Sequence, residues 1–209
     1  MHPAIDPAGT RFYRAVVALV GPLFRAYFRV RIEGAGHLPA AGACIVAANH
    51  QSYLDPLVVG ATCPRAVRFM MARKFWDMPL IGWGSRRFGS FPVDDGRILP
   101  DALRQAVAVL RAGAVLGIFP EGGISADGRL GPPCPGVGHL ALRLGVPIVP
   151  AAISGTRRAF PKGRLLPRPL RVRIRYGEPL APPPGSHRDP GAADELAARV
   201  MAAIAALGA

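Results

Sequence analysis

The stretch CIVAANHQSYLD, residues 44 to 55, joins a short apolar run to a polar group that ends in Asp55. The run Cys44–Ala48 is typical of a strand that is buried on both faces. The chain then continues directly into Asn49 and His50. A histidine at the end of such a strand lies at the carboxyl edge of the sheet, where open α/β sheets bind their ligands. The stretch therefore predicts a parallel sheet with a site at its edge.

Further apolar runs alternate with helical patterns, which predicts an α/β fold with a mostly parallel central sheet flanked by helices. Helical spacing predicts one helix from Leu99 to Leu110 and a second at Gly136–Leu144. The chain of 209 residues is long enough for a single domain with one sizeable core. The predicted strands are Cys44–Ala48, Val67–Met71, Gly89–Val93, Val115–Phe119, Val146–Ile153 and Leu170–Tyr176.

The N-terminal segment, residues 1–30, is predicted to be helical and amphipathic. Its apolar stretch from Ala15 to Phe24 has about ten residues, against the roughly twenty that a spanning helix needs. The spacing fits an interfacial helix on anionic lipid and, equally, a core-packing helix with a solvated arginine face, although Pro22 could break either one. At about 100° per residue, one face carries Arg11, Arg14, Arg25 and Arg29, and the other carries Phe12, Val16, Leu19, Val20, Leu23 and Tyr27.

The remaining chain divides into a main domain, residues 31–180, and a proline-rich linker with a closing helix, residues 181–209. The closing helix is predicted over Ala192–Leu207. Three widely spaced cysteines have no metal-ligand spacing, which indicates reduced thiols in a cytosolic compartment. The first ten residues lack the features of a signal peptide.

The net charge of +13 indicates anionic partners, namely phosphate groups, nucleic acid or an acidic membrane surface. Residues 157–175 alone carry eight basic side chains and no acidic one. Nucleic-acid binding is not expected, because no helix-turn-helix, zinc or single-strand-binding signature is visible and aromatic residues do not interleave the basic segment.

His50 and Asp55 have a spacing that suits acid–base chemistry. If a helix starts after the strand, Asp55 could accept the Nδ1 proton of His50 and leave Nε2 as a general base. This is the logic of a Ser-His-Asp triad without its serine. The nucleophile would then be a hydroxyl brought by the substrate.

A second polar string follows another predicted strand. Phe119-Pro120-Glu121-Gly122-Gly123-Ile124-Ser125 again begins at a carboxyl edge, so Glu121 places a second carboxylate near the first site. The two glycines allow the backbone to approach a ligand closely. Farther along, the strand Val146–Pro150 is bracketed by prolines.

Together and in this order, these strings resemble the glycerolipid acyltransferase family, the 1-acylglycerol-3-phosphate acyltransferase-like proteins. Asn49–Asp55 is similar to the family's first block, NHxSxxD, and Phe119–Ser125 to its third block, FPEGTRS. Gly89–Val93 resembles the start of the second block and Val146–Pro150 the fourth. The resemblance covers roughly residues 30 to 180, so it makes the main domain an acyltransferase catalytic domain.

The resemblance implies transfer of a fatty acyl group from acyl-CoA or acyl carrier protein to a lysophospholipid hydroxyl. The expected acceptor is 1-acyl-sn-glycerol-3-phosphate, with His50 as the base and Asp55 as its partner. No metal and no cofactor beyond the acyl carrier is implied, and the expected location is the cytoplasmic face of the cell membrane, as a peripheral or monotopic protein. The implied substrate-binding residues are Asn49, Ser52, Glu121, Gly122, Gly123 and Ser125, with the backbone N–H groups around the two glycines as candidates for the oxyanion site.

Two positions depart from the family's pattern. Asp95 stands where the second block usually has an arginine, and Gly123-Ile124 replaces the Thr-Arg of the third block. Both missing groups are associated in the family with the acceptor's phosphate. Arg97 and Arg129 are the expected replacements, and the Arg86-Arg87 pair is a further possibility. Alternatively, the acceptor has a different lipid head group, the protein is a thioesterase in which the same base activates water, or it is a lipid-binding relative without catalytic activity.

Overall fold

The computed structural model describes residues 7–93, 100–183, 189 and 191–209. Within them, seven strands form one sheet in the order β1-β7-β6-β2-β5-β3-β4. Every neighbouring pair is parallel except β6 and β7, which are antiparallel. The strands are β1 (Arg31–Glu33), β2 (Cys44–Ala48), β3 (Val67–Ala72), β4 (Phe91–Val93), β5 (Val115–Ile118), β6 (Ile148–Ser154) and β7 (Arg173–Tyr176).

Helices cover both faces of this sheet, as expected for a largely parallel α/β fold. The helices are α1 (Pro7–Tyr27), α2 (Asp55–Thr62), α3 (Arg73–Trp76), α4 (Pro79–Arg87), α5 (Pro100–Arg111), α6 (Gly136–Leu144), α7 (Thr156–Ala159) and α8 (Ala192–Ala206). The predicted fold class is confirmed, together with the position of the strand that precedes His50.

The central strand β2 supplies both cores, because its side chains alternate between the two faces. Ile45 and Ala47 lie in one cluster with residues of α5, α6 and α8. Val46 and Ala48 lie in the other cluster, together with residues of α2 and the end of α1. All five residues of β2 are buried, so the strand fixes the position of the segment that follows it.

Helix α1 runs without a break through Pro22, which is exposed. It packs on the protein through Tyr13 and Gly21, which are buried, and through Phe24, which lies against the core. The predicted apolar face lies elsewhere on the helix, and Leu19 and Leu23 on it are 76% and 70% exposed. The buried residues lie on a third face that the two-sided pattern did not reveal, although Phe12 on the predicted apolar face also packs, against the rings of Trp83 and Phe88. The interfacial and the core-packing expectations for this segment both stay predictions.

Among the described residues, no helix combines the length and the apolar character needed to cross a bilayer. The closing helix α8 begins at Ala192, as predicted. Part of the predicted linker, residues 184–188 and 190, lies outside the described residues. The division of the chain at residues 30 and 180 stays a prediction.

Candidate active site

The imidazole of His50 lies just beyond the carboxyl end of β2, on a row of stacked aromatic rings. Its ring centroid is 4.0 Å from that of Phe119, at an interplanar angle of 17°. Phe119 is in turn stacked on Phe69, with centroids 5.8 Å apart. The absence of a side chain at Gly117 makes room for the Phe69 ring, because a Cβ at that position would overlap it. Two neighbouring strands thus fix the plane of the histidine ring.

Asp55 holds the same ring by its edge. The carboxylate is fully buried at the start of α2, and its Oδ2 lies 2.9 Å from His50 Nδ1. The same oxygen accepts hydrogen bonds from the backbone N–H groups of Gln51, at 2.6 Å, and Ser52, at 2.7 Å. Because a carboxylate only accepts hydrogen bonds, this contact assigns the proton to Nδ1 and leaves the lone pair on Nε2.

Glu121 holds the main chain of His50. Its Oε1 accepts a hydrogen bond from the backbone N–H of His50 at 2.7 Å, and its Oε2 accepts one from Gly131 N–H at 3.1 Å. Four residues further along the same loop, Ser125 donates its backbone N–H to His50 O at 2.8 Å. These contacts brace the loop, whereas the resemblance implied that Glu121 binds substrate.

Asn49 and Ser52 were expected to bind substrate, but their contacts are internal. Asn49 is 1% exposed; its Nδ2 donates to Ile153 O at 2.9 Å, and its Oδ1 accepts from Ile153 N–H at 2.7 Å. Ser52 Oγ donates to Phe160 O at 2.8 Å. Because buried polar groups need hydrogen-bond partners, both side chains are used to join the first block to β6 and α7.

The Gly122-Gly123 turn corrects the expectation that both amides face a ligand. Gly122 has a φ of 72°, in the left-handed region that favours glycine, and its N–H closes the turn by donating to Phe119 O at 3.0 Å. Its amide is therefore not available to an oxyanion. The N–H of Gly123 makes no hydrogen bond within the described residues and remains a candidate.

A cavity of about 430 Å³ lies beside the site and is lined mainly by the loop that follows Glu121, up to Gly131. Arg129 lines it and is exposed, as its predicted role requires. The Ser125 hydroxyl is used inside the loop, since it lies 2.8 Å from Arg129 O and accepts from Gly128 N–H at 2.9 Å. A hydrogen bond from the Arg129 backbone N–H keeps the pKa of Asp127 below its ordinary value.

Arg157 is a functional candidate that sequence reasoning missed. From α7 it donates to Ser125 O at 3.1 Å and to Ala126 O at 2.7 Å, so it clamps the cavity loop from outside. Gln51 Nε2 adds a contact to Gly128 O at 3.0 Å. In the sequence, Arg157 is one of the eight basic residues in the segment 157–175, and no pattern distinguishes it from the other seven.

Of the other predicted phosphate ligands, Arg86 and Arg87 do not line the cavity. Arg97 lies outside the described residues, as does Asp95. The guanidinium of Arg86 lies 5.2 Å from the centroid of the Trp76 ring. That of Arg87 lies 5.9 Å from the Phe12 ring and 5.7 Å from the Trp83 ring. Of the predicted phosphate ligands that the structure describes, only Arg129 lies at the cavity wall.

Comparison with known proteins agrees with this architecture. The family model described as Acyltransferase matches residues 29–154, more than half of the chain. The chain belongs to the acyltransferase family. Its fold is similar to the crystal structure of PlsC, the 1-acyl-sn-glycerophosphate acyltransferase of Thermotoga maritima. That similarity has a TM-score of 0.73 and 27% identity, and it covers 92% of this chain and 80% of the other.

Plant acyltransferases are also similar in sequence. The chloroplastic 1-acyl-sn-glycerol-3-phosphate acyltransferase BAT2 of Brassica napus is 33% identical over 140 residues, which are 66% of this chain and 40% of the relative. The chloroplastic LPAT1 of Arabidopsis thaliana, an enzyme of the same name, is 30% identical over 169 residues, which are 78% of this chain and 47% of the relative. The chain thus spans less than half the length of these two relatives.

Proposed function

We propose that this acyltransferase-family protein moves a fatty acyl group from acyl-CoA or acyl carrier protein to the hydroxyl of 1-acyl-sn-glycerol-3-phosphate. The contact between His50 Nδ1 and Asp55 Oδ2 at 2.9 Å carries the proposal, because it leaves Nε2 free to accept a proton. The printed names of the plant and Thermotoga relatives support the choice of acceptor.

The nucleophile in this proposal belongs to the acceptor lipid. Ser52 and Ser125, the serines of the two motifs, both use their hydroxyls in hydrogen bonds within the protein. His50 Nε2 takes the proton of the acceptor hydroxyl while its oxygen forms a bond to the thioester carbonyl carbon. The carbon–sulfur bond then breaks, and the leaving thiolate receives the proton from the imidazolium, whose charge Asp55 stabilises. Positioned proton transfer typically contributes a factor of about 10² to 10⁴.

Two further groups complete the proposed site. The N–H of Gly123 is the donor for the oxyanion that forms when the hydroxyl attacks the thioester. Arg129, on the wall of the cavity, is the proposed partner for the acceptor's phosphate, since a guanidinium suits the geometry of phosphate oxygens.

The proposed location is the cytoplasmic face of the membrane, with the protein bound at an anionic lipid surface. The outer face of α1 supports this, because Leu19 and Leu23 are exposed beside a face that carries Arg11, Arg14 and Arg25. An exposed apolar stripe next to basic side chains is typical of a helix that lies in the bilayer interface.

The test is acceptor-dependent release of thiol from one labelled acyl-CoA. Lysophosphatidic acid is compared with a lyso-phosphoinositide and a lyso-ornithine lipid, and the acylated product is identified. We expect thiol release only with an acceptor, and fastest with lysophosphatidic acid. Thiol release that does not depend on any acceptor would make the protein a thioesterase, and activity confined to phosphate-free acceptors would overturn the proposed substrate.

A further inference from the structure

The loop between α7 and β7 carries the two most exposed leucines of the described basic segment. Leu165 is 94% exposed and Leu166 is 75% exposed. The residues at the two ends of this loop, Phe160 and Leu170, pack against the core instead. The apolar side chains at the tip therefore have no covering partner within the described part of the chain.

This tip is held in place by hydrogen bonds on both sides. Within the loop, the backbone N–H of Arg168 donates to Ala159 O at 2.7 Å. From the last residue of α1, Tyr27 Oη donates to Pro167 O at 3.0 Å, and from the turn that follows α1, Arg29 Nη2 donates to Pro169 O at 2.6 Å. The leucines are thus presented by a braced loop, and the same bonds join that loop to the exposed face of α1.

The charge around the leucines defines the partner. Lys162, Arg164 and Arg168 are all exposed, and residues 157–175 contain no acidic side chain. A surface that is both apolar and basic complements an anionic bilayer, whose interface offers hydrocarbon beneath negatively charged head groups. Single-stranded nucleic acid fits less well, because its bases stack on aromatic rings and the tip presents leucines.

The loop also begins at the candidate active site. Phe160, its first residue, accepts a hydrogen bond from Ser52 Oγ at 2.8 Å, and its ring centroid lies 6.5 Å from that of Tyr53. Ser52 and Tyr53 belong to the motif that carries His50. A bilayer contact at the tip would therefore hold the carboxyl edge of the sheet near the lipid surface.

We infer that Leu165 and Leu166 insert into the interface of an anionic bilayer and form, beside α1, a second lipid contact of this protein. The inference rests on the proposed function in that it brings the site to a lipid acceptor. Binding to the bilayer itself needs neither acyl donor nor acceptor. The two claims can therefore fail separately.

The test measures partition of the full chain onto phosphatidylcholine vesicles with and without phosphatidylglycerol, in the absence of substrates. Removing two inserted leucine side chains, in Leu165→Ser with Leu166→Ser, should weaken partition at least about tenfold. Because both leucine side chains are exposed, the thermal unfolding midpoint of this variant should equal that of the wild-type protein. That equality is the check that its fold is intact. Lys162→Glu with Arg164→Glu should weaken binding to the vesicles that contain phosphatidylglycerol and leave binding to pure phosphatidylcholine vesicles unchanged.

Matched controls use the opposite face of the sheet. Arg111→Glu with Arg143→Glu makes the same change of charge on α5 and α6, where both arginines are exposed. This pair should reduce partition onto the anionic vesicles far less than Lys162→Glu with Arg164→Glu does. As a second readout, the tryptophan fluorescence of the Leu165→Trp variant should be quenched by brominated lipid, in excess of any quenching of Trp76 and Trp83. Wild-type protein that does not bind the vesicles, equal losses in both charge pairs, or an unquenched tryptophan would overturn the inference.

Discussion

The carboxylate of Glu121 accepts a hydrogen bond from the backbone N–H of His50 at 2.7 Å, so the third motif holds the main chain of the first. The return contact, from Ser125 N–H to His50 O at 2.8 Å, closes the connection. Asp55 then fixes the imidazole ring itself. Motifs that lie 71 residues apart in the chain thus form one rigid unit around a single histidine.

Substitution of Glu121 separates bracing from acceptor binding. Glu121→Ala leaves the N–H groups of His50 and Gly131 without acceptors, at about 1–3 kcal/mol each, and should lower kcat by a factor of about 10² or more. Glu121→Gln keeps one acceptor oxygen and should lose less. The measurement is steady-state acyl transfer with varied acceptor concentration. A rise in KM with little change in kcat would instead assign Glu121 to acceptor binding.

Asp55→Asn tests the orientation of the histidine ring. The neutral amide accepts the three hydrogen bonds that Oδ2 now receives more weakly than the carboxylate does, and it stabilises an imidazolium poorly. Acyl transfer should fall by about 10² to 10⁴, by analogy with the loss of the acid from a catalytic triad. The matched control is Asp101→Asn on α5, an exposed residue paired with Arg104. Equal rates for the two variants would contradict the assigned role of Asp55.

Gly117→Ala tests the support beneath the stacked rings. The added methyl group would overlap Phe69, which in turn supports Phe119 and the imidazole of His50. We expect a loss of about 1–3 kcal/mol in the free energy of unfolding and a lower kcat. The control is Gly84→Ala, inside α4, where a Cβ would meet no neighbour within 4 Å. It should be neutral or stabilising, because alanine favours the helix.

The free energy of unfolding should decrease at alkaline pH because of a buried thiol. Burial raises the pKa of Cys63 from its ordinary 9.0 to about 11. The unfolded chain therefore loses this proton first, so the stabilising contribution is complete below pH 9 and is lost as the pH rises towards 11. The full contribution is about 3 kcal/mol, measurable by urea unfolding across this range.

Cys63→Ala is the control for the pH effect, since it removes the titrating thiol. Tyr13, whose pKa burial raises to about 12, adds a decrease of its own above its ordinary 10.0. The comparison is therefore sharpest between pH 9 and 10, below the ordinary value of tyrosine. Identical slopes for the two proteins would show that Cys63 does not contribute.

The local features of the site could be predicted from the sequence, and its long-range contacts could not. The strand β2 is a continuous buried apolar run, and Asp55 lies within one turn of His50, so the chain itself sets their separation. Strand β1 was missed, because its three residues, Arg31–Glu33, include two charged ones and show no apolar pattern. Its pairing with β7 depends on how distant parts of the chain pack.

The same distinction explains the roles that the structure changed. Asn49 was expected to bind substrate because of the resemblance of residues 49–55 to the family's first block, yet its hydrogen-bond partner Ile153 is 104 residues away. Arg157 contacts Ser125 across 32 residues, which no spacing rule indicates. Gly122 was read as a donor because glycine allows close approach, whereas the turn that requires its φ of 72° also uses its N–H.

The most direct test of the central claim is the rate of acyl transfer to lysophosphatidic acid by His50→Ala beside the wild-type protein. The claim is that His50 Nε2 takes the proton from the acceptor hydroxyl. The variant should retain its fold, shown by an unchanged far-ultraviolet circular dichroism spectrum, and lose acyl transfer by a factor of about 10² to 10⁴. A folded His50→Ala protein that transfers the acyl group at the wild-type rate would contradict the account.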